Sequence, residues 1–101
     1  MNLQEIDSEL KNLYKQRDKK IKEEFSHIVG QCYHPPGLDV FVYGKAIRGR
    51  DVEVIEINNS DVFNAVRNYE DQIFSDSYKV SKEQFKERIK QIIKQIMMEV
   101  S

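Results

Sequence analysis

The first thirty residues constrain this chain more than any other stretch. Leu3, Ile6, Leu10, Leu13, Tyr14, Ile21, Phe25 and Ile28 recur at the spacing that lines one face of an α-helix. Asn2 is placed as an N-cap with Glu5 three residues on, a capping-box pattern, and Met1 and Ile6 occupy the staple positions around it. Gly30 sits where a C′ glycine would end the helix. Arg17 falls on the apolar side near the middle, so the stripe divides into an outer patch, Leu3 to Tyr14, and an inner one, Ile21 to Val29.

A helix of that length measures roughly 40 Å at 1.5 Å per residue. A compact domain of about 100 residues has a radius of gyration near 13 Å. The rod is therefore expected to outreach the body it packs on. Its outer patch, Leu3, Ile6, Leu10 and Leu13, follows the alternating three- and four-residue steps of a short coiled-coil seam. That patch either lies on the chain's own C-terminal helix or meets a second copy or a partner.

Beyond Gly30 the pattern changes. His34-Pro35-Pro36-Gly37 cannot continue a helix and reads as a turn. Leu38 to Ala46 and Asp51 to Ile57 are rich in Val, Ile, Phe and Tyr, and Ile47-Arg48-Gly49-Arg50 lies between them, which predicts a β-hairpin. Val40 and Val42 fall on one face, Phe41 and Tyr43 on the other, so the ribbon should be covered on both sides. Asn58-Asn59-Ser60-Asp61 then reads as the start of a helix with Ser60 as N-cap. Val62, Ala65, Val66, Tyr69 and Ile73 would share its face, widened by Phe63 and Phe74. After the polar break Ser75-Asp76-Ser77, Ser81 and Gln84 form a capping box for a last helix, with Val80 and Phe85 at the staple positions. Its stripe is Phe85, Ile89, Ile92, Ile93, Ile96, Met97 and Val100. The expectation is one domain over residues 1–101, of α+β class and helix-dominated: a long N-terminal helix, a β-hairpin and two C-terminal helices (α-β-β-α-α).

Charge narrows the function classes. Sixteen Lys and Arg nearly cancel seventeen Asp and Glu, a net charge of −1. No global field draws the protein to nucleic acid or anionic lipid, and any such binding needs a local patch. The best one is basic: Lys45, Arg48 and Arg50 cluster at the expected hairpin tip, with Asp51 and Glu53 beside them. Lys19, Lys20 and Lys22 are followed at once by Glu23 and Glu24, a mixed solvated face. No apolar run approaches a membrane span, and residues 1–6 do not read as a signal peptide. The single cysteine, Cys32, excludes an intramolecular disulfide and suits a reducing compartment, so a cytoplasmic protein is expected. Heavy use of Lys, Ile and Asn points to an AT-rich genome, as in low-GC bacteria, their phages and mobile elements.

Catalytic and metal chemistry find little support. His27, Cys32 and His34 are irregularly spaced and lack a fourth ligand at a sensible interval. Cys32 has no evident base to make it a nucleophile. Gly44-Lys45 ahead of Asp51-Val52-Glu53 lacks the serine that a nucleotidyl-transfer site carries after its glycine. No phosphate-binding glycine loop, serine elbow or dinucleotide fingerprint occurs. The chain therefore reads as a non-enzymatic protein-interaction module, a regulator, inhibitor or adaptor with no cofactor and no metal. Its contacts would be Leu3, Ile6, Leu10 and Leu13 for self- or partner association, as in a homodimer, and Lys45, Arg48 and Arg50 for electrostatics. The alternative is a small nucleic-acid-binding protein that uses the basic hairpin tip.

Overall fold

The computed structural model describes residues 2–59 and 61–100. Helix α1 spans Leu3–Phe25 and a single 3-10 turn, Ser26–Ile28, follows it. Strands β1 (Cys32–Tyr33), β2 (Val40–Arg48), β3 (Asp51–Asn58), β4 (Asp61–Asn68) and β5 (Lys79–Val80) precede helix α2 (Lys82–Val100). Two more 3-10 turns, Gln72–Phe74 and Asp76–Tyr78, link β4 to β5. All the strands join in one antiparallel sheet of order β4-β3-β2-β1-β5.

This corrects the α-β-β-α-α expectation. The segment read as the middle helix is strand β4, followed by 3-10 turns, and the hairpin belongs to a five-stranded sheet. Val62, Ala65, Val66 and Tyr69 fit a helical period, but the same run also alternates. Phe63, Ala65 and Arg67 face one way, opposite Glu56, Val54 and Val52, while Val62, Asn64 and Val66 face the other. The choice is made by β3. Its Val52, Val54 and Ile57 are fully buried, so its backbone groups need a paired strand on each side. Tertiary demand overrides local periodicity here. Asn58 and Asp61 close the β3–β4 hairpin with Asn59 at φ 58°, a left-handed conformation that asparagine tolerates. The expected Ser60 cap and the Met1 staple lie outside the described residues.

Both terminal helices form as the capping boxes predict. Glu5 N–H donates to the Asn2 side chain (2.9 Å), and Asn2 N–H donates to the Glu5 carboxylate (3.3 Å). Gln84 N–H donates to Ser81 Oγ, and Ser81 N–H donates to Gln84 Oε1. Helix α1 ends at Phe25, five residues before Gly30, whose positive φ of 84° serves the following turn instead.

The sheet is covered on both faces, as the alternation in β2 requires. On one side Ile21, Ile28, Tyr33, Val42, Ile47, Val52, Val54, Ile73 and Phe74 form the core beneath the C-terminal end of α1. On the other, Cys32, Ile57, Phe85 and Ile92 pack with Phe41, Tyr43, Ile55 and Ile89 beneath α2. A β-bulge at Lys45 makes the first core possible. Gly44 pairs with Val54 and Ala46 with Glu53, leaving Lys45 as the extra residue. The extra residue changes the alternation, so Ile47 joins Val42 on the α1 face instead of pointing away.

Gly44 sets how close α1 can come. A Cβ there would lie 2.4 Å from the Ile28 carbonyl oxygen. The glycine also donates its N–H to Gln31 (3.1 Å) and accepts from Gly30 (2.8 Å), binding the helix exit to β2. Arg67 crosses the α1 face of β4 to bond Glu56 (2.7 Å) and Asp71 (2.9 Å), which satisfies a carboxylate only 6% exposed.

Two outcomes follow for stability. Gly44→Ala should cost about 2 kcal/mol in urea denaturation, since the clash is with backbone; an unchanged midpoint would mean that the Ile28 carbonyl yields freely. Arg67→Met should cost about 3 kcal/mol by stranding Glu56. Adding Glu56→Met should recover most of that loss, and a single-variant cost near zero would remove the pair from the list of structural supports.

Candidate functional site

Helix α1 continues unbroken through Arg17, and residues 3–17 are all exposed. Asp18 lies over the β2–β3 turn, its carboxylate 3.7 Å from where a Cβ on Gly49 would stand. Ten residues later Ile28 sits over Gly44, in the middle of β2. The helix thus runs from the hairpin tip toward mid-sheet, and everything before Asp18 projects past the tip. The radius of gyration is 18.0 Å and the extents are 67 × 30 × 20 Å, against the ~13 Å radius of a compact domain this size.

Leu3, Ile6, Leu10 and Leu13 lie together along this projecting rod, exposed by 79%, 40%, 42% and 59%. None touches α2. Lys45, Arg48 and Arg50 do not converge. The bulge turns Lys45 to the α2 face, where its ammonium donates to Asn64 (3.2 Å). Arg48 pairs with Glu53 (3.1 Å). Arg50 forms no salt bridge among the described residues; its carbonyl accepts from the Tyr69 N–H (3.0 Å), and with Arg17 it bears on the Tyr69 hydroxyl. The Tyr69 hydroxyl donates to Glu70 (2.7 Å), which raises its pKa, while Arg50 and Arg17 pull it down. Arg17 also pairs with Asp18 and stacks over the Tyr14 ring. The basic feature is thus a collar at the root of the rod, built from Arg17 and Arg50, in place of a three-cation tip.

The soft-ligand residues are scattered. His34 stacks flat on Phe41 (4.0 Å between centroids) and bonds the Val40 carbonyl, His27 is exposed, and Cys32 is buried under α2. Among the described residues no three His, Cys, Asp or Glu side chains cluster closely enough to hold a metal ion. No described helix is long and apolar enough to cross a membrane.

A second apolar surface was hidden in the sequence. Helix α2 is pinned at mid-length by Arg88, whose guanidinium donates to Asp39 (2.8 Å) and to the Asn59 carbonyl (2.8 Å) at the end of the sheet opposite the β2–β3 tip. Past Ile92 the stripe runs off the sheet, leaving Ile93, Ile96 and Met97 exposed by 51%, 48% and 67%. In the sequence these residues are indistinguishable from core. Length offered no signal either, since nineteen helical residues span about 29 Å and a strand of nine about 30 Å.

Comparison with protein-family models, with curated proteins and with solved structures found no match.

Burial pushes the Cys32 thiol pKa up, with Lys82 drawing it partly back, and burial likewise raises the phenol of Tyr33. A raised folded pKa means the contribution is fully present below the unfolded value and is lost as pH climbs through the folded one. Stability should hold through neutral pH and fall above about 9, where the unfolded thiol ionises first. Cys32→Ala should flatten the urea midpoint between about pH 8 and 10. Identical slopes in the two proteins would show that the thiol does not contribute.

Proposed function

We propose that this protein is a non-enzymatic protein-interaction module that uses the α1 rod to occupy a partner's surface. One observation carries this reading: a helical extension over residues 3–17 makes no core contact, yet carries four aligned aliphatic side chains. An isolated helix shorter than about 12–15 residues is marginal in water, and its stability normally comes from packing an apolar face. Covering Leu3, Ile6, Leu10 and Leu13 would stabilise the rod by about 1.5–3 kcal/mol for each side chain, set against an association cost of several kcal/mol. The collar at the rod's root adds orientation and association rate more than affinity. A buried free thiol suits a reducing cytoplasmic setting.

Leu10→Asp separates this reading from one in which the outer patch is part of the core. Because Leu10 lies off the globule, the variant should keep its urea midpoint within about 0.5 kcal/mol. It should also lose association measured by sedimentation, and lose the concentration-dependent protection of amides 3–17 in hydrogen exchange. If Leu10→Asp instead unfolds the domain, the patch belongs to the core and the module reading fails.

A further inference from the structure

Resting on that reading, we propose that the rod's occupant is a second copy of this chain, and that the two rods lie antiparallel, with their globules at opposite ends. Three features of α1 carry this.

The first is steric. At 100° per residue, the stripe of Leu3, Ile6, Leu10 and Leu13 lies within about 60° of the side occupied by Ile21 and Phe25. Those two residues pack on the sheet. A helix seated on the stripe therefore occupies the same flank as the rod's own globule. Two rods side by side in the same direction would each run into the other's hairpin tip at the level of Asp18, which lies over Gly49. Rods in opposite directions meet only along their projecting parts.

The second is charge. Within residues 2–10 the charged side chains are Glu5, Asp7 and Glu9; within residues 11–20 they are Lys11, Lys15, Arg17, Lys19 and Lys20, with Asp18 the one anion. Antiparallel pairing turns the acidic end of each rod toward the basic half of the other. Parallel pairing stacks acid on acid and base on base, the arrangement that suppresses a coiled-coil partner. Helix macrodipoles favour the same choice, since opposed helices place unlike ends together.

The third is length. The projecting part is long enough to overlap in full, with Leu3 of one rod level with Arg17 of the other and Leu10 level with Leu10, which sets Glu5 beside Lys15 and Glu9 beside Lys11. The two-fold axis passes near Leu10, so every contact made by one rod is repeated by the other, as an isologous pairing requires.

Small-angle scattering and disulfide trapping test the arrangement together. Two 67 Å molecules overlapping by the rods alone should give a dimer about 110 Å long, whereas a parallel pair would stay near 70 Å. Under mild oxidation Leu3→Cys chains should not crosslink with one another. They should form a mixed disulfide with Arg17→Cys chains, which stand at the same level in the overlap described. Native Cys32, 1% exposed, stays out of the reaction. A short dimer, or efficient Leu3→Cys self-crosslinking, overturns the antiparallel pairing while leaving the rod as an interface. A strict monomer at high micromolar concentration overturns the second copy as occupant. Neither outcome is the unfolding of Leu10→Asp that would defeat the parent reading.

Discussion

The close approach of the Ile28 carbonyl to Gly44 governs the geometry of this molecule. A backbone oxygen stands where any side chain at position 44 would begin, so the end of α1 is seated at mid-strand with no spacer between them. That seat and the second contact, Asp18 over Gly49, together set the direction of the helix, and the β2–β3 turn marks where support ends. The bulge at Lys45 completes the seat by bringing Ile47 under the helix. A short, fully buried contact thus controls the position of Leu3, well outside the globule.

The two-sided sheet divides the work between the helices. Helix α1 contributes little more than Ile21 and Phe25 to its face, helped by Ile28 and the 3-10 turn bearing Ile73 and Phe74. Helix α2 contributes Phe85, Ile89 and Ile92 to the other and is held by the Arg88 guanidinium. Each helix is anchored over part of its length and runs past the sheet for the rest. They leave at opposite ends, α1 beyond Gly49 and α2 beyond Asn59, which accounts for a long axis more than twice the next.

Both ends of the chain were legible because capping boxes and amphipathic stripes are local signals. Asn2 with Glu5, and Ser81 with Gln84, need nothing from the rest of the molecule to be recognised. Coverage of both faces of β2 could also be read from Val40, Phe41, Val42 and Tyr43. Residues 61–74 could not be assigned, because Val62, Ala65, Val66 and Tyr69 satisfy both periods and only the unpaired flank of β3 decides between them. Strands β1 and β5 were invisible for a related reason: two-residue ladders at Cys32–Tyr33 and Lys79–Val80 have no periodicity to detect. At the site, Leu3, Ile6, Leu10 and Leu13 fall where their spacing suggested. The basic residues 45, 48 and 50 are scattered by a bulge that nothing local announces.

The two borders of the sheet are unequal. On one side β5 offers a two-residue step, closely followed by the start of α2. On the other, β4 presents eight residues that pair with β3 alone among the described residues, without proline or a register shift to blunt them. Lateral growth of the sheet, whether as regulated strand addition or as the first step of aggregation in a damaged molecule, has one direction open to it. The composition of Asp61–Asn68 therefore bears on that growth more directly than any buried residue does.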